Sequence, residues 1–502
     1  MRLRSPSPAL ILAVVAFGVF IAADDLTVVS TMLRQIILDL NIPLPEGFDD
    51  AAWIVNGYLI AYVVVMPFMG RVSDLYGRRR VFVAALALFL VGSIWVPLTN
   101  SLPAFLVGRV LTALGGGAMV PVGMAVIGDV FQERRRPSAL GTLGAVDTAG
   151  WVWGPLLGAL LVRFLSWRWQ FYLNIPLAIV GIALAWWALR DLDRPLRRAR
   201  IDWAGVAALT AGLVALNVAL LNTSDIQTVG SLVELTSDES PSTIPFFLAA
   251  ALALPLFVWI ERRRPHPLID LSLFGRSNFT PAVFVNFLVG AVLIIAMVNV
   301  PLFVNITEND LGRAALNSGL VLSALTVSMA VMSYVGGRLT ERLWYRPVTM
   351  AGLAACAVGF LLMGSTWTAD TSLGRMAWQL VILGAGFGLV MAPTGAAVID
   401  AAPSDQRGTA AGLAILMRLM GLSVGLSGLT AWGLYRFNVL RSRLVLPPVG
   451  DPGYQEALAD ATSTTTASAL AETFLFSVAV AALALVVALW LRRVYDRPAP
   501  AG

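Results

Sequence analysis

The sequence contains no lysine, one histidine and one cysteine, and only 13% of its 502 residues are charged. Each shortage excludes something. Cys356 stands alone in an apolar run, so neither a disulfide framework nor a cysteine-based metal site is available. His266, between Pro265 and Pro267, reads as a polar loop residue rather than a ligand or base. With one His and one Cys, an enzyme is not expected, because no nucleophile–base or metal constellation can be assembled. All 35 basic residues are arginines, and they are scattered over many short loops. They form no stripe and no aromatic-interleaved face, so nucleic acid is not an expected partner. The low charge is informative in itself, since a soluble domain carries roughly 25%.

What the chain does have is apolar length. It is 58% hydrophobic, with a mean hydropathy of +0.78. Runs of about 20 apolar residues can each cross roughly 30 Å of hydrocarbon as a helix. Hydropathy and loop breakers predict spans at about 9–31, 51–72, 80–98, 104–128, 138–162, 170–190 and 203–221. Seven more are predicted at about 244–262, 279–305, 313–337, 347–368, 375–400, 408–435 and 468–491. The expected fold is therefore an all-α membrane protein with 14 transmembrane helices, with the lipid bilayer as its solvent.

Arginine placement gives the expected direction. Arg78–Arg80, Arg134–Arg136, Arg190 to Arg200, Arg262–Arg264, Arg338 to Arg346 and Arg492–Arg493 all fall on one side of these spans. The segment 222–244 has no basic residue and carries Asp225, Glu234, Asp238 and Glu239. Cytoplasmic loops are the ones enriched in Arg, so both termini are expected inside, in the cell (inner) membrane. Arg2 and Arg4 before an apolar run ending at Ala22-Ala23 could pass for a secretory signal. The motif at Asp25 speaks for an uncleaved first span.

The chain repeats itself. Gly70-Arg71-Val72-Ser73-Asp74 closes the second span, and Gly337-Arg338-Leu339-Thr340-Glu341 closes the tenth. The loop Asp129 to Gly141 echoes Asp400 to Gly408. The expected organisation is a six-helix bundle over 1–190, an inserted helix pair with linkers over 191–278, and a second six-helix bundle over 279–502. Two like-oriented halves suit a transporter that rocks one bundle against the other.

In the loop Gly70 to Arg80, Gly70 and Gly77 permit close helix approach and a tight turn. Asp74 can face the positive N-terminal end of a neighbouring helix, and Arg71, Arg78 and Arg79 can pair with acids such as Asp129. This pattern resembles the conserved loop between the second and third spans of the major facilitator superfamily. The resemblance implies a latch that stabilises the outward-open state. In the second copy, Gly337, Arg338 and Glu341 remain but Trp344 stands where the second Gly would fall, so a weaker latch is expected. In span 5, Gly150-Trp151-Val152-Trp153-Gly154-Pro155-Leu156-Leu157-Gly158 resembles the antiporter motif of the superfamily, which implies export. Ala159 and the two tryptophans depart from it.

Asp25-Leu26-Thr27-Val28-Val29 resembles the signature of the fourteen-span drug:proton antiporter branch, with departures at Ser30, Met32 and Arg34. Trp167 to Pro176, Asp202 to Gly205 and Pro267 to Asp270 also fit that branch. The stretch Leu429 to Asn438, with Ala52 to Val55 and Arg418 to Gly421, is similar to the mycobacterial lipid exporters of the superfamily. Those work with a lipoprotein partner and carry an acidic residue where Thr148 aligns, one position after Asp147.

An ionisable residue inside a span costs at least about 2.5–3.5 kcal/mol on insertion scales, so each needs a reason. Asp24, Asp25, Arg109, Asp147 and Arg418 are the internal ones. Asp24 and Asp25 lie about 100° apart on a helix and are expected to have separate roles. Asp25 and Arg109 share the outer half of the membrane and could pair; Asp147 and Arg418 fall near mid-depth at corresponding positions of the halves. Burial favours a neutral carboxyl and a nearby Arg a charged one, so protonation can follow conformation. These four residues are the candidate proton-coupling set, with static salt bridges as the alternative.

A site lined by apolar and aromatic groups favours lipophilic or amphipathic substrates. The expected activity is proton-coupled export of such compounds by alternating access. Lipid export with an envelope lipoprotein partner, or an uncoupled facilitator of the same fold, are the alternatives. No cofactor or metal is expected, since the proton gradient would drive transport, and the expected unit is a monomer. The outer segment 438–468 is long enough to meet a partner.

Overall fold

The computed structural model of the chain describes residues 6–43, 48–192, 201–223, 243–265, 267–307, 311–368, 370–442 and 454–492. Arg2, Arg4, His266, Arg493 and the acidic loop residues 225–239 lie outside the described residues, as do positions 193–200 and 443–453.

Among the described residues, fourteen helices are long and apolar enough to cross a membrane. They are α1 (Pro8–Asp39), α2 (Phe48–Tyr76), α3 (Arg78–Trp95), α4 (Leu102–Val130), α5 (Arg136–Phe164), α6 (Arg168–Ala188) and α7 (Trp203–Thr223). The rest are α8 (Ile244–Arg263), α9 (Phe279–Thr307), α10 (Leu311–Leu343), α11 (Tyr345–Thr366), α12 (Leu373–Ala401), α13 (Arg407–Arg441) and α14 (Tyr454–Ala488). Every expected span has its own helix. Several begin where the sequence supplies a start: Ser7 and Ser372 accept backbone N–H bonds, and α1, α4, α5 and α8 have Pro in their first positions.

The expected boundaries fall short at α13 and α14. Each is 35 residues long, or about 52 Å at roughly 1.5 Å per residue, well beyond a hydrocarbon core of about 30 Å. Hydropathy marks where a helix leaves lipid, whereas backbone hydrogen bonding carries on past that point. Much of the outer segment expected as a loop is therefore helical overhang, bridged by a two-pronged ion pair between Arg436 and Glu472.

Packing follows the repeat. In the first half α1 lies on α5, α2 and α3 on α4, and α3 on α6. In the second half the same contacts recur as α9 on α13, α10 and α11 on α12, and α11 on α14. Helices α7 and α8 pair with each other, and α7 touches α2 and α13. The halves meet along α2–α13 and α5–α10. Lipid tails are as apolar as Leu, so small residues that let backbones approach do much of the association. A Cβ on Gly70 would overlap the Gly408 carbonyl, and one on Gly337 would overlap the carbonyl of Pro137. These two crossings hold the halves together at one end of the bundle, the end that carries the Gly70 to Arg80 loop.

Candidate functional site

The glycines of span 5 explain how α1 is seated. Gly150, Gly154 and Gly158 recur every four residues and so share one face of α5. A Cβ at these positions would run into Ala23, Thr27 and Thr31 of α1. Pro155 has no N–H, which leaves the Trp151 carbonyl without its helical donor. Thr27 of α1 supplies one, its hydroxyl donating to that carbonyl at 3.3 Å. Trp153 points outward and is exposed. The motif thus clamps the α1 segment that carries Asp24 and Asp25.

Asp25 is 0% exposed and Arg109 of α4 is 1% exposed. Arg109 Nη1 donates to Asp25 Oδ2 at 2.8 Å, and the guanidinium lies 3.9 Å from the centre of the Tyr58 ring on α2. Asn174 Nδ2 of α6 donates to Asp25 Oδ1 at 3.2 Å. Both oxygens of a buried charge are hydrogen-bonded, which is the condition for keeping such a pair inside a low-dielectric region.

Asp24 and Asp25, about 100° apart on α1, are each held by an amide of α6. Gln170 Nε2 donates to Asp24 Oδ2 at 2.6 Å and reaches Asn174 Oδ1 at 3.5 Å. The carboxylates do diverge around α1, but two amides four residues apart bridge them. Gln170 and Asn174 lay inside the Trp167 to Pro176 motif without an assigned role. Their signal was a pair of amides at i, i+4 in an otherwise apolar span.

Asp147 of α5 and Arg418 of α13, expected near mid-depth, approach to 3.9 Å. Each is the eleventh residue after the first residue of its helix, Arg136 and Arg407 respectively. They are repeat equivalents that meet across the two halves. Thr148 instead turns its hydroxyl back to the Gly144 carbonyl at 2.8 Å.

At the crossing of α2 and α13, the Asp74 carboxylate accepts from Gly408 N at 3.0 Å, Thr409 N at 2.9 Å and the Thr409 hydroxyl at 3.0 Å. A negative charge therefore sits on the N–H groups that begin α13 and have no partner within the helix, where the helix dipole favours it. Arg78 pairs with Asp74 at 2.6 Å and with Asp129 at 3.0 Å, and Arg407 binds the other Asp129 oxygen at 3.0 Å. Gly77 makes the turn with φ 95°. Of the other arginines of this loop, Arg79 stacks 3.8 Å over the Trp186 ring of α6, and Arg71 is buried.

The second crossing keeps the shape and changes the charges. Asp400 takes Arg136 and the Tyr345 hydroxyl, as Asp129 takes Arg407 and Arg78. Tyr345 follows Gly337 by eight positions, as Arg78 follows Gly70. Glu341, the counterpart of Asp74, makes no hydrogen bond or ion pair among the described residues. Arg338 bonds the Tyr334 hydroxyl at 2.7 Å on an exposed face. Trp344 occupies the turn with φ 70°, so the backbone conformation survives the loss of the Gly. Asp400, Arg136, Arg407 and Tyr345 were missed in the sequence, although the echo of Asp129–Gly141 in Asp400–Gly408 contained three of the four. Among the described residues, the hydrogen bonds and ion pairs joining the halves run from Asp147–Arg418 to this latch end.

Two sets of six helices with matching contacts, joined at one end and carrying charged pairs inside the bundle, are an arrangement that suits a membrane transporter. The Major Facilitator Superfamily model matches residues 15–426, and the chain belongs to that family. It is 31% identical to a triacylglyceride transporter of Mycolicibacterium smegmatis over 461 residues, covering 89% of this chain and 79% of that one. It is 30% identical to Multidrug resistance protein 3 of Bacillus subtilis over 430 residues, covering 85% and 79%. Among solved structures, the proton:xylose symporter XylE superposes with a TM-score of 0.61 at 12% identity, covering 95% of this chain and 94% of that one. That likeness speaks for the fold alone.

Proposed function

We propose that this protein is a proton-coupled exporter of lipophilic or amphipathic compounds, working as a monomer by alternating access in the cell (inner) membrane. The observation that carries the reading is the buried Asp25–Arg109 pair, held against the α5 glycine stripe. A carboxylate in that place costs free energy unless its charge has a use, and loading or releasing a proton as the halves rock is such a use. With the Arg-rich side inside, both termini and the latch are cytoplasmic, and a joined latch faces the site outward. Asp147 and Arg418 lie at mid-depth on opposite halves, so their pairing changes as the halves part, and they complete the coupling set.

The relatives' names favour apolar cargo of two kinds, drugs and triacylglycerides. Export of a lipid with an envelope lipoprotein docked on the α13–α14 overhang is the second reading. Purified protein in proteoliposomes, given a fluorescent lipophilic cation or a fluorescent triacylglycerol, separates these readings. Uphill movement of one probe under an imposed pH gradient, abolished by a protonophore, is the expected result. Counterflow that is identical with and without the gradient, and no uphill movement, would leave an uncoupled facilitator.

A further inference from the structure

The Asp25–Arg109 pair leaves a second buried carboxyl group unexplained. Asp24 is 5% exposed, yet among the described residues no cation pairs with it; the side-chain partner of its carboxyl group there is the neutral amide of Gln170, itself 1% exposed. Asp24 Oδ1 and Gln170 Oε1 are both buried acceptors with no donor. Around them, α4 contributes Arg109, already committed to Asp25, and α2 contributes Tyr58 under that guanidinium. From α5, Gly150 and Gly154 approach Asp24 at its backbone N and O, and α1 itself places the Asp25 charge next door. The Asp24 carboxyl group and the amide in contact with it are short of donor hydrogen. A proton supplies it.

We infer that Asp24 is a second proton-binding group of this transporter, read out by Gln170. The 2.6 Å contact can be made by either end of the amide. With Asp24 ionised, Gln170 Nε2 donates to Oδ2. With one proton taken from solvent and one O–H bond formed at Oδ2, the carboxyl donates instead to Oε1 of the turned amide. Turning the amide withdraws Nε2 from Asn174 Oδ1, 3.5 Å away, and Asn174 is the residue that holds Asp25 Oδ1. The state of Asp24 is thereby passed along α6 to the coupling pair. The inference rests on the coupling role of Asp25, and it adds a second proton to each cycle.

Infrared difference spectra of the full chain in nanodiscs, titrated from acid to alkaline pH, read protonated carboxyl groups directly and need no substrate. In D24N, one C=O band of the wild type is expected to vanish while the band lost in D25N stays. In Q170L the Asp24 band is expected to persist at higher frequency, its hydrogen bond gone. A D24N spectrum identical to wild type would overturn the inference, as would a Q170L band that does not move. A missing Asp24 band in D24N alongside an unchanged D25N spectrum would sink the coupling role of Asp25 while leaving Asp24 a proton site. Circular dichroism of each variant controls for folding.

Discussion

The crossings of α2 with α13 and of α5 with α10 share a backbone arrangement and differ in what holds it. At α2–α13 a carboxylate caps the start of the opposing helix, and Arg78 and Arg407 converge on Asp129. At α5–α10 the helices touch as closely, through Gly337 on Pro137 and through Ser333, whose hydroxyl donates to the Gly141 carbonyl at 3.2 Å. There Asp400 keeps its cluster, but the Glu341 side chain has no partner among the described residues. The difference teaches that close helix approach is needed at both crossings, while capping of the opposing helix is needed at one.

The comparison can be broken from either side. The largest effect is expected from Asp74→Asn. It removes a buried charge from Arg78 and from the start of α13, at a cost of about 3 kcal/mol. That shifts the ratio of closed to open latch by roughly two powers of ten, measurable as spin-label distances across the latch end. Gly70→Ala and Gly337→Ala come next and should resemble each other, because each drives a methyl group into a backbone carbonyl. Overpacking of that kind costs about 1–3 kcal/mol, read as a lower unfolding temperature and a wider latch. A large effect at one glycine and none at the other would break the symmetry argued here. Gly77→Ala places a side chain on a backbone with φ 95° and should cost about 1 kcal/mol in thermal stability. Smallest of all is Glu341→Gln, expected within about 0.5 kcal/mol of wild type.

These contrasts also mark what a sequence can carry. All fourteen spans were legible, because twenty apolar residues in a row have few structural options in lipid. The placing of Asp74 against a helix start was legible too, since the spacing of Gly70, Asp74 and Gly77 constrains one turn. Partner choice between distant helices was not. Asp400 and Arg136 are 264 positions apart, and only the fold brings them together. The partners of Gln170 and Asn174 are not legible either, because an amide in a span announces a hydrogen bond without naming its acceptor. The overhang of α13 and α14 is hidden from hydropathy, since polar residues end a hydropathy window without ending a helix.

The central claim is that Asp25 couples proton movement to substrate movement. Asp25→Asn, reconstituted in proteoliposomes beside the wild type and loaded with a fluorescent probe that the wild type transports, tests it most directly. The expected result is a folded protein that still exchanges probe in counterflow but drives none of it under a pH gradient. Gradient-driven transport at the wild-type rate would contradict the claim and return the Asp25–Arg109 pair to a static bridge between α1 and α4.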